Sequence, residues 1–575
     1  MLKMNFQHGV VLENMTDMEM FLMVENGIRG GMCQVMSPYA RAQRDDSTAS
    51  DGDESWSFRD KGTEILYLDA NNLYGWAMDQ KLPHGGYGWL YNPERTKQNM
   101  EFFGLKNKGK QKQSMWECCT EEWAIDKIMA IPDDGPMGYI LEVDLHTPEN
   151  KHDYFNDYPM CPEPKVPVPS PYTQAEMQRL GILESRGKAQ KLVCDLEPKK
   201  KYVIHYRLLK QAMKHGVVLD KVHRVIVFEQ SDWLSRYIAY NTEKRKLARN
   251  TIDKDFYKLM NNSIFGKTME DFRKRRKIQF YTEKNIDKAL KDASSPWCKH
   301  WRIITDDKLM IMEMARHSIT FTRPVIIGQA ILDLSKLHMF GFHYEVMKPT
   351  FGPSMRLLYT DTDSLVYLLY DHDEESVDEI LVRMQKERNC FDLSEMKNKN
   401  HLLMNSGFDP NENAKVLGKM KDEMGGHKVS EFVALRSKMY SFQMQTEASA
   451  AKSKAKGIPG KATNEKTGKK LCHQDYMRSF EGGELENVTF YAIQHDKTFR
   501  LQTRKVFKVG LSACDDKSYY FNAASCLRYG HYMIEMREKE EIECLEALEK
   551  SQLSDPSDDD EEENILNWIN NEIGS

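Results

Sequence analysis

Two runs of strand-forming residues, Arg356-Leu357-Leu358 and Leu365 to Tyr370, are separated by only six residues, Tyr359-Thr360-Asp361-Thr362-Asp363-Ser364. So short a polar interval commits this part of the chain to an antiparallel hairpin. Its turn carries two carboxylates at alternate positions. Side chains at i and i+2 share a sheet face, so Asp361 and Asp363 are expected to point the same way. That is half of a divalent-metal site, although a solvated Asp-rich turn has the same wording. A calcium loop of the EF-hand type does not fit: counting from Asp361, the Gly position holds Val366 and the final Glu position holds His372.

A second carboxylate lies far upstream. The strand-like run Ile65 to Leu68 ends in Asp69, followed by Ala70-Asn71-Asn72-Leu73-Tyr74-Gly75. An Asp closing a strand is a natural third ligand for the hairpin pair, and equally a residue that ends a strand at a turn. Two hard cations such as Mg²⁺ take oxygen ligands, activate an attacking hydroxyl and stabilise a leaving phosphate. The third element is Lys258 to Gly266. On a helix Lys258, Asn262, Phe265 and Gly266 fall near one face, which offers an ammonium, an amide, a ring for stacking and an open approach. A helical hairpin turning near Ile252, with Thr251 as N-cap, brings Lys246 beside Lys258, where the two would clamp a triphosphate. Surface lysines are solvated by default.

The net charge of −6 over 575 residues is unevenly distributed. Residues 535–575 hold fifteen Asp/Glu against Arg537, Lys539 and Lys550, a local balance of −12 that leaves +6 on the rest. A mildly basic body suits a protein that handles a polyanion. Acidic tails usually solvate; the apolar group Ile565, Leu566, Trp568 and Ile569 behind Asp558 to Glu563 also reads as a docking motif. Mean hydropathy is −0.65, no apolar run of ~18 residues is visible, and no signal-peptide pattern opens the chain, so no membrane partner is expected. Eleven scattered cysteines without a C-x-x-C pair, Cys118-Cys119 being the only neighbours, point to an intracellular, reducing compartment. His205, His215 and His223 lack metal-ligand spacing and read as structural. The cluster Arg273-Lys274-Arg275-Arg276-Lys277 reads as a solvated face, a phosphate contact or a nuclear import signal.

Taken in order, these elements resemble the family B DNA polymerases. D-x-x-S-L-Y-P stands here as Asp69 to Gly75, K-x-x-x-N-S-x-Y-G as Lys258 to Gly266, Y-x-D-T-D-S intact as Tyr359 to Ser364, and K-x-Y as Lys438-Met439-Tyr440. Asn72 replaces Ser, Gly75 replaces Pro and Phe265 replaces Tyr; no carboxylate is lost. Two insertions fall where protein-primed members carry their terminal-protein regions, with Gly138 to Asp144 and Asn156 to Met160 similar to the first. Gly27 to Gly31, Leu68 to Gly75, Lys258 to Asp271 and Asp515-Asp516-Lys517 are closest in wording to polymerases of Polinton/Maverick elements and related viruses.

The resemblance implies an α+β right-hand polymerase with palm, fingers and thumb and two insertions of terminal-protein-region type. Residues 1–62 would be an N-terminal remnant and linker, 63–90 palm, 91–200 the first insertion, 201–268 palm and fingers, 269–320 the second insertion, 321–445 palm, 446–534 thumb and 535–575 an acidic, disordered tail. Asp69 and Asp363 would be the metal ligands, with Asp361 the supporting catalytic carboxylate, for two Mg²⁺ ions, Mn²⁺ being the substitute. Tyr74 would exclude a 2′-hydroxyl, Lys246 and Lys258 bind the triphosphate, and Asn262 and Phe265 line the nascent base pair. Lys438, Tyr440, Ser263 and Gly266 would contact DNA or primer. The implied partners are a DNA template-primer, dNTPs and a terminal protein as primer, at a nuclear or viral replication site. Only 68 residues precede Asp69, and no exonuclease carboxylates occur there, so proofreading is expected to be missing. A catalytically decayed DNA-binding protein is the main alternative. A reverse transcriptase also pairs an Asp-bearing strand with an Asp hairpin, but not with the Lys258 helix.

Overall fold

The computed structural model describes residues 10–42, 62–91, 122–184, 188–305, 308–316, 318–372, 375–445, 452–496, 500–540 and 543. The Asp45 to Asp60 loop, Cys118-Cys119 and most of the acidic segment, including Ile565 to Ile569, lie outside these residues. The chain is a mixed α/β structure built on a six-stranded sheet. Its strands are β1 (Cys33–Val35), β2 (Thr63–Ala70), β3 (Met355–Asp361), β4 (Ser364–Tyr370), β5 (Phe391–Asp392) and β6 (Met420–Asp422), arranged β1-β3-β4-β2-β6-β5. All pairings are antiparallel except β5 with β6.

The apolar runs of β2 and β4 are nearly continuous because both faces of the sheet are covered. Leu66, Leu68, Leu365, Tyr367 and Leu369 enter one core. Ile65, Tyr67, Val366 and Leu368 enter another, against Phe432, Tyr440 and Phe442 of a second sheet, formed by strands Tyr39–Arg41, Val429–Arg436, Met439–Met444 and Lys452–Ala455.

Five helices frame the site: α1 (Leu73–Asp79), α2 (Tyr206–His215), α3 (Ser235–Leu247), α4 (Thr251–Thr268) and α5 (Val325–Gly341). Helix α5 and its continuation to Phe351 are apolar and long enough to cross a membrane, contrary to the expectation of no such run; 83% of its most apolar 18-residue window is buried in the protein, as in a core helix. Helices α3 and α4 form an antiparallel hairpin in which Asn241 Nδ2 donates to Asn261 Oδ1 at 2.9 Å. The N-cap of α4 is Asn250, whose side chain accepts from Asp253 N at 2.8 Å; Thr251, expected there, is the first helical residue. The end of α4 packs on α5 at Gly328, where a Cβ would lie 2.3 Å from Met269 Cγ.

Several expected boundaries cut through hydrogen-bonded sheets. Strand Met137–His146, inside the expected first insertion, forms one four-stranded sheet with Leu82–Tyr91 and Lys199–His205, which cross its expected limits, and with Val218–Ser231 beyond them. Lys452–Ala455 pairs with Met439–Met444 across the 445/446 limit. Within the range expected to be the second insertion, strands Lys277–Thr282, Cys298–Thr305 and Leu309–Met314 and helix Ile286–Ala293 enclose a small core of Tyr281, Ala289 and Met312.

Cys33–Val35, within the segment expected to precede the core, joins the six-stranded sheet. Strand β1 covers the outer edge of β3, with Cys33 opposite Asp361, and so blocks an edge that would otherwise pair elsewhere. The far end of the chain clamps β1 in turn. Lys517 Nζ donates to Cys33 O at 2.7 Å, Gln34 Nε2 to Lys517 O at 2.9 Å, and the fully buried Arg528 to Val35 O and Met36 O at 2.8 and 2.9 Å. Arg528→Ala leaves the two buried carbonyls only the long bonds from Ser518 Oγ and Cys526 Sγ, each 3.5 Å, and is expected to lower stability by about 2–4 kcal/mol in denaturant unfolding; an unchanged midpoint would dismiss the clamp.

Candidate active site

The site forms where β2 meets the β3–β4 hairpin. Ser364 pairs with Asp69 in register, and Ala70 N donates to Asp363 O at 2.7 Å. The hairpin turns on Thr362-Asp363, since Asp361 and Ser364 are still paired. Thr362 has φ +65°, a left-handed conformation that costs a β-branched residue free energy. The cost is offset from below: Thr362 N donates to Met32 O at 2.6 Å. Gly31 permits this approach, because a Cβ there would lie 2.2 Å from Thr362 Oγ1.

That turn redistributes the carboxylates. The alternation expected for Asp361 and Asp363 assumes extended backbone, which Thr362 interrupts. Asp361 is bound by Lys438, whose Nζ lies 2.5 and 2.8 Å from its two oxygens. Asp69 receives no hydrogen bond and no ion pair from a described residue. Burial, and then the carboxylates of Asp363 and Glu423, push Asp69 up to about 7, against the weaker pull of Lys421 and Lys452. Asp363 is raised too, first by burial and also by Asp361, while Lys258 and Lys438 oppose the rise. Asp69 and Asp363 are thus two half-buried carboxylates in each other's field.

Helix α1 leaves β2 directly behind Asp69. Asn72 is its N-cap at φ +45°, and its amide fills the space beside Gly75, where a Cβ would lie 2.1 Å from Asn72 Nδ2. The departures Asn72 and Gly75 therefore fit one another. Tyr74 stacks on Phe265 of α4, centroids 4.4 Å apart and planes 21° from parallel. Burial, then Asp363 and Asp361, push the Tyr74 phenol up to about 12. Helix α4 thus meets the acidic pair through the Tyr74–Phe265 stack and through the field of Lys258.

Other expected residues are placed less simply. Lys246 and Lys258 are both exposed, one on each helix of the hairpin. Asn262 Oδ1 is buried without a hydrogen-bond partner. Ser263 is exposed and donates to Met260 O at 3.1 Å, and Gly266 is exposed with nothing within 4 Å of an added Cβ. Tyr440 does not face the site. It is 3% exposed, packed on Tyr359, with its hydroxyl 3.1 Å from that of Tyr67; alternation along Met439–Met444 sends it into the core while Lys438, at the preceding turn with φ +61°, reaches Asp361. The basic cluster is largely neutralised by Arg273 with Glu25, Lys274 with Asp271, Arg275 with Glu270 and Arg276 with Glu313.

Motif reading missed the support of the hairpin by Gly31, Met32 and Lys517, although the Gly30-Gly31 pair and Asp515-Asp516-Lys517 were visible as wording. It also missed Glu423. Among the described residues, the three side chains with metal-ligand spacing are Glu64, Asp378 and His401, within 4.8 Å of one another. Lys428 Nζ already occupies that cluster, 2.5 Å from Glu64 and 2.8 Å from Asp378, so its cation is built in.

No protein-family model and no curated protein matches the chain. Among solved structures it is similar to Phi29 DNA polymerase complexed with primer-template DNA and incoming nucleotide substrates, with 14% identity, a TM-score of 0.44, and coverage of 87% of this chain and 64% of that one. It is also similar to the same polymerase in a post-translocation binary complex with primer-template DNA, with 12% identity, a TM-score of 0.44, and coverage of 88% and 66%. The chain spans under two thirds of the length of these polymerases.

The raised Asp69 gives a signed expectation. An acid whose folded pKa exceeds its unfolded value of ~3.9 destabilises the fold increasingly as pH rises from there to about 7. In metal-free buffer Asp69→Asn should therefore melt higher than the parent at pH 8, with the gap closing by about pH 4. Thermal melts with a pH-independent gap would contradict this charge balance.

Proposed function

We propose that the protein is a DNA-directed DNA polymerase of right-hand architecture. The observation that carries this reading is the pair Asp69 and Asp363, held at the end of β2 and in the adjoining β3–β4 turn with no direct cation on Asp69, beside a Tyr74–Phe265 stack and Lys258. Like charges buried together weaken a fold, and clusters of this kind concentrate at functional sites. In this reading the six-stranded sheet is the palm, the α3–α4 hairpin the fingers, and residues 446–534 the thumb. The first and second insertions serve a terminal protein whose hydroxyl primes synthesis, in replication of a mobile element or virus.

The donor set fits a hard divalent ion: carboxylate oxygens only, with the two raised groups short of positive charge. Mg²⁺, or Mn²⁺ in its place, held by Asp69 and Asp363 would supply activation of the primer hydroxyl and stabilisation of the departing pyrophosphate. The chain's own residues do the rest by position and charge. Lys258 offsets the triphosphate charge on the side of Asp363, and Lys246 acts farther along the same hairpin. The Tyr74 ring, fixed by Phe265, closes the space beneath the sugar and excludes a 2′-hydroxyl. Asn262 presents a free acceptor beside Phe265, where the nascent base pair would lie, and Ser263 and Gly266 leave room for the template. Lys438 holds Asp361 and with it the primer end, while Tyr440 supports that strand from the core. The primer hydroxyl attacks the α-phosphate, the new phosphodiester bond forms, and pyrophosphate leaves. Retention of all three carboxylates weighs against a decayed binding protein.

Incorporation of a labelled dNTP on a primed template, with Mg²⁺ added, tests this reading. Asp69→Ala and Asp363→Ala are each expected to cut the rate about a thousandfold or more; equal incorporation by parent and variants, or none by the parent, rejects it. Tyr74→Val, which keeps the carboxylates, should lower discrimination against ribonucleotides by about a hundredfold, read as the ratio of kcat/KM for dNTP and rNTP.

A further inference from the structure

A groove of about 640 Å³ opens on the opposite side of α1 from Tyr74, between α2, the end of α5 and the loop Leu417 to Met420. That volume suits a ligand of nucleotide size. Its charge is one-sided. Arg207, Lys210 and Lys214 line it from α2, Arg388 and Lys419 from across, against only Asp133 and Glu345. Both carboxylates are committed: Asp133 to Lys210 at 2.7 Å and to Arg207 at 3.8 Å, Glu345 to Lys214 at 3.0 Å. Arg388 and Lys419 have no carboxylate partner among the described residues.

Two polar atoms of lining residues are buried and unsatisfied. Arg207 Nε makes no hydrogen bond, its ion-pair partner Asp133 standing 3.8 Å away, and Gln211 Oε1 accepts from nothing although Gln211 is only 8% exposed and its Nε2 donates to Leu337 O at 3.1 Å. An unpaired buried group costs free energy that a ligand can recover. A free donor beside excess cations calls for phosphate, and a free acceptor calls for a hydroxyl or amino group. Trp76, Phe342, Val346 and Met420 add apolar wall. We propose that this groove is a second binding site, separate from the acidic pair, for a phosphorylated ligand of nucleotide size.

The site is connected to the acidic pair through backbone. Gly418 N donates to Asn71 O and Asn71 N to Lys419 O, each at 2.9 Å, while Gly418 O is held by His338 Nε2 at 2.8 Å. The loop then runs into β6, where Lys421 pairs with Asp69. A ligand in the groove therefore bears on the strand end that carries Asp69, and coupling between the two sites is reciprocal.

Calorimetric titration of the full chain with ADP in EDTA, with adenosine as the phosphate-free control, tests the proposal without depending on catalysis. ADP should bind one per chain, adenosine at least about tenfold more weakly, and the Arg388→Ala/Lys419→Ala double variant should lose about tenfold in ADP affinity. Lys258→Ala should bind ADP as the parent does, and hydrogen exchange should slow at Asn71 and Gly418 on binding. No ADP binding, equal binding of adenosine, or binding lost in Lys258→Ala but kept in the groove variant would overturn it. Should the double variant not fold, Arg388→Ala alone, at an exposed position, carries the same expectation.

Discussion

The antiparallel pairing of β2 with β4 is the constraint on which the rest depends. It sets Ser364 against Asp69 and lets Ala70 N hold Asp363 O, which brings two carboxylates from opposite halves of the sequence into one half-buried place. The ladder supplies geometry but works against the charges it gathers, since Asp69 is pushed up to about 7. What holds them there is apolar burial on both faces of the same strands. A core of that size tolerates an electrostatic penalty of a few kcal/mol.

The surrounding elements restrain the turn. Strand β1 lies along β3, Met32 O holds Thr362, and Gly31 leaves the room. Lys438 neutralises Asp361 and so separates it from the pair that stays short of positive charge. The C-terminal segment closes the arrangement by gripping β1 through Lys517 and Arg528. Helix α4 brings Lys258 and Phe265 over the site from a third direction. Residues 484 positions apart, Cys33 and Lys517, thus help to fix one two-residue turn, and this is why the proposed chemistry and the integrity of the fold are hard to separate.

Legibility in the sequence followed the range of the physics involved. The hairpin, the strand before Asp69 and the helix from Lys258 to Gly266 are local patterns, and each folds as its spacing indicates. The burial of Tyr440 was not legible because it depends on Tyr67 and Tyr359, distant in sequence. The Asn241–Asn261 contact that joins the two helices left no motif. The boundaries at 90/91, 200/201 and 445/446 were drawn between motifs, and sheet pairing ignores motifs. The groove behind α1 left no motif, since α2, the helix ending at Arg388 and the loop before β6 meet only in space.

By itself the sequence determined which groups the site contains: the carboxylates, the aromatic pair, the lysines, and the hairpin and helix that present them. Those follow from side-chain chemistry and from periods of two and 3.6 residues. Tertiary structure decided how the charges are shared, with Asp361 bound to Lys438 and Asp69 left facing Asp363. It also decided that Cys33–Val35, Lys517 and Arg528 join one another around the central sheet. The reason is that burial and Coulomb interaction depend on distance in space, and the partners that set both here lie up to several hundred residues apart.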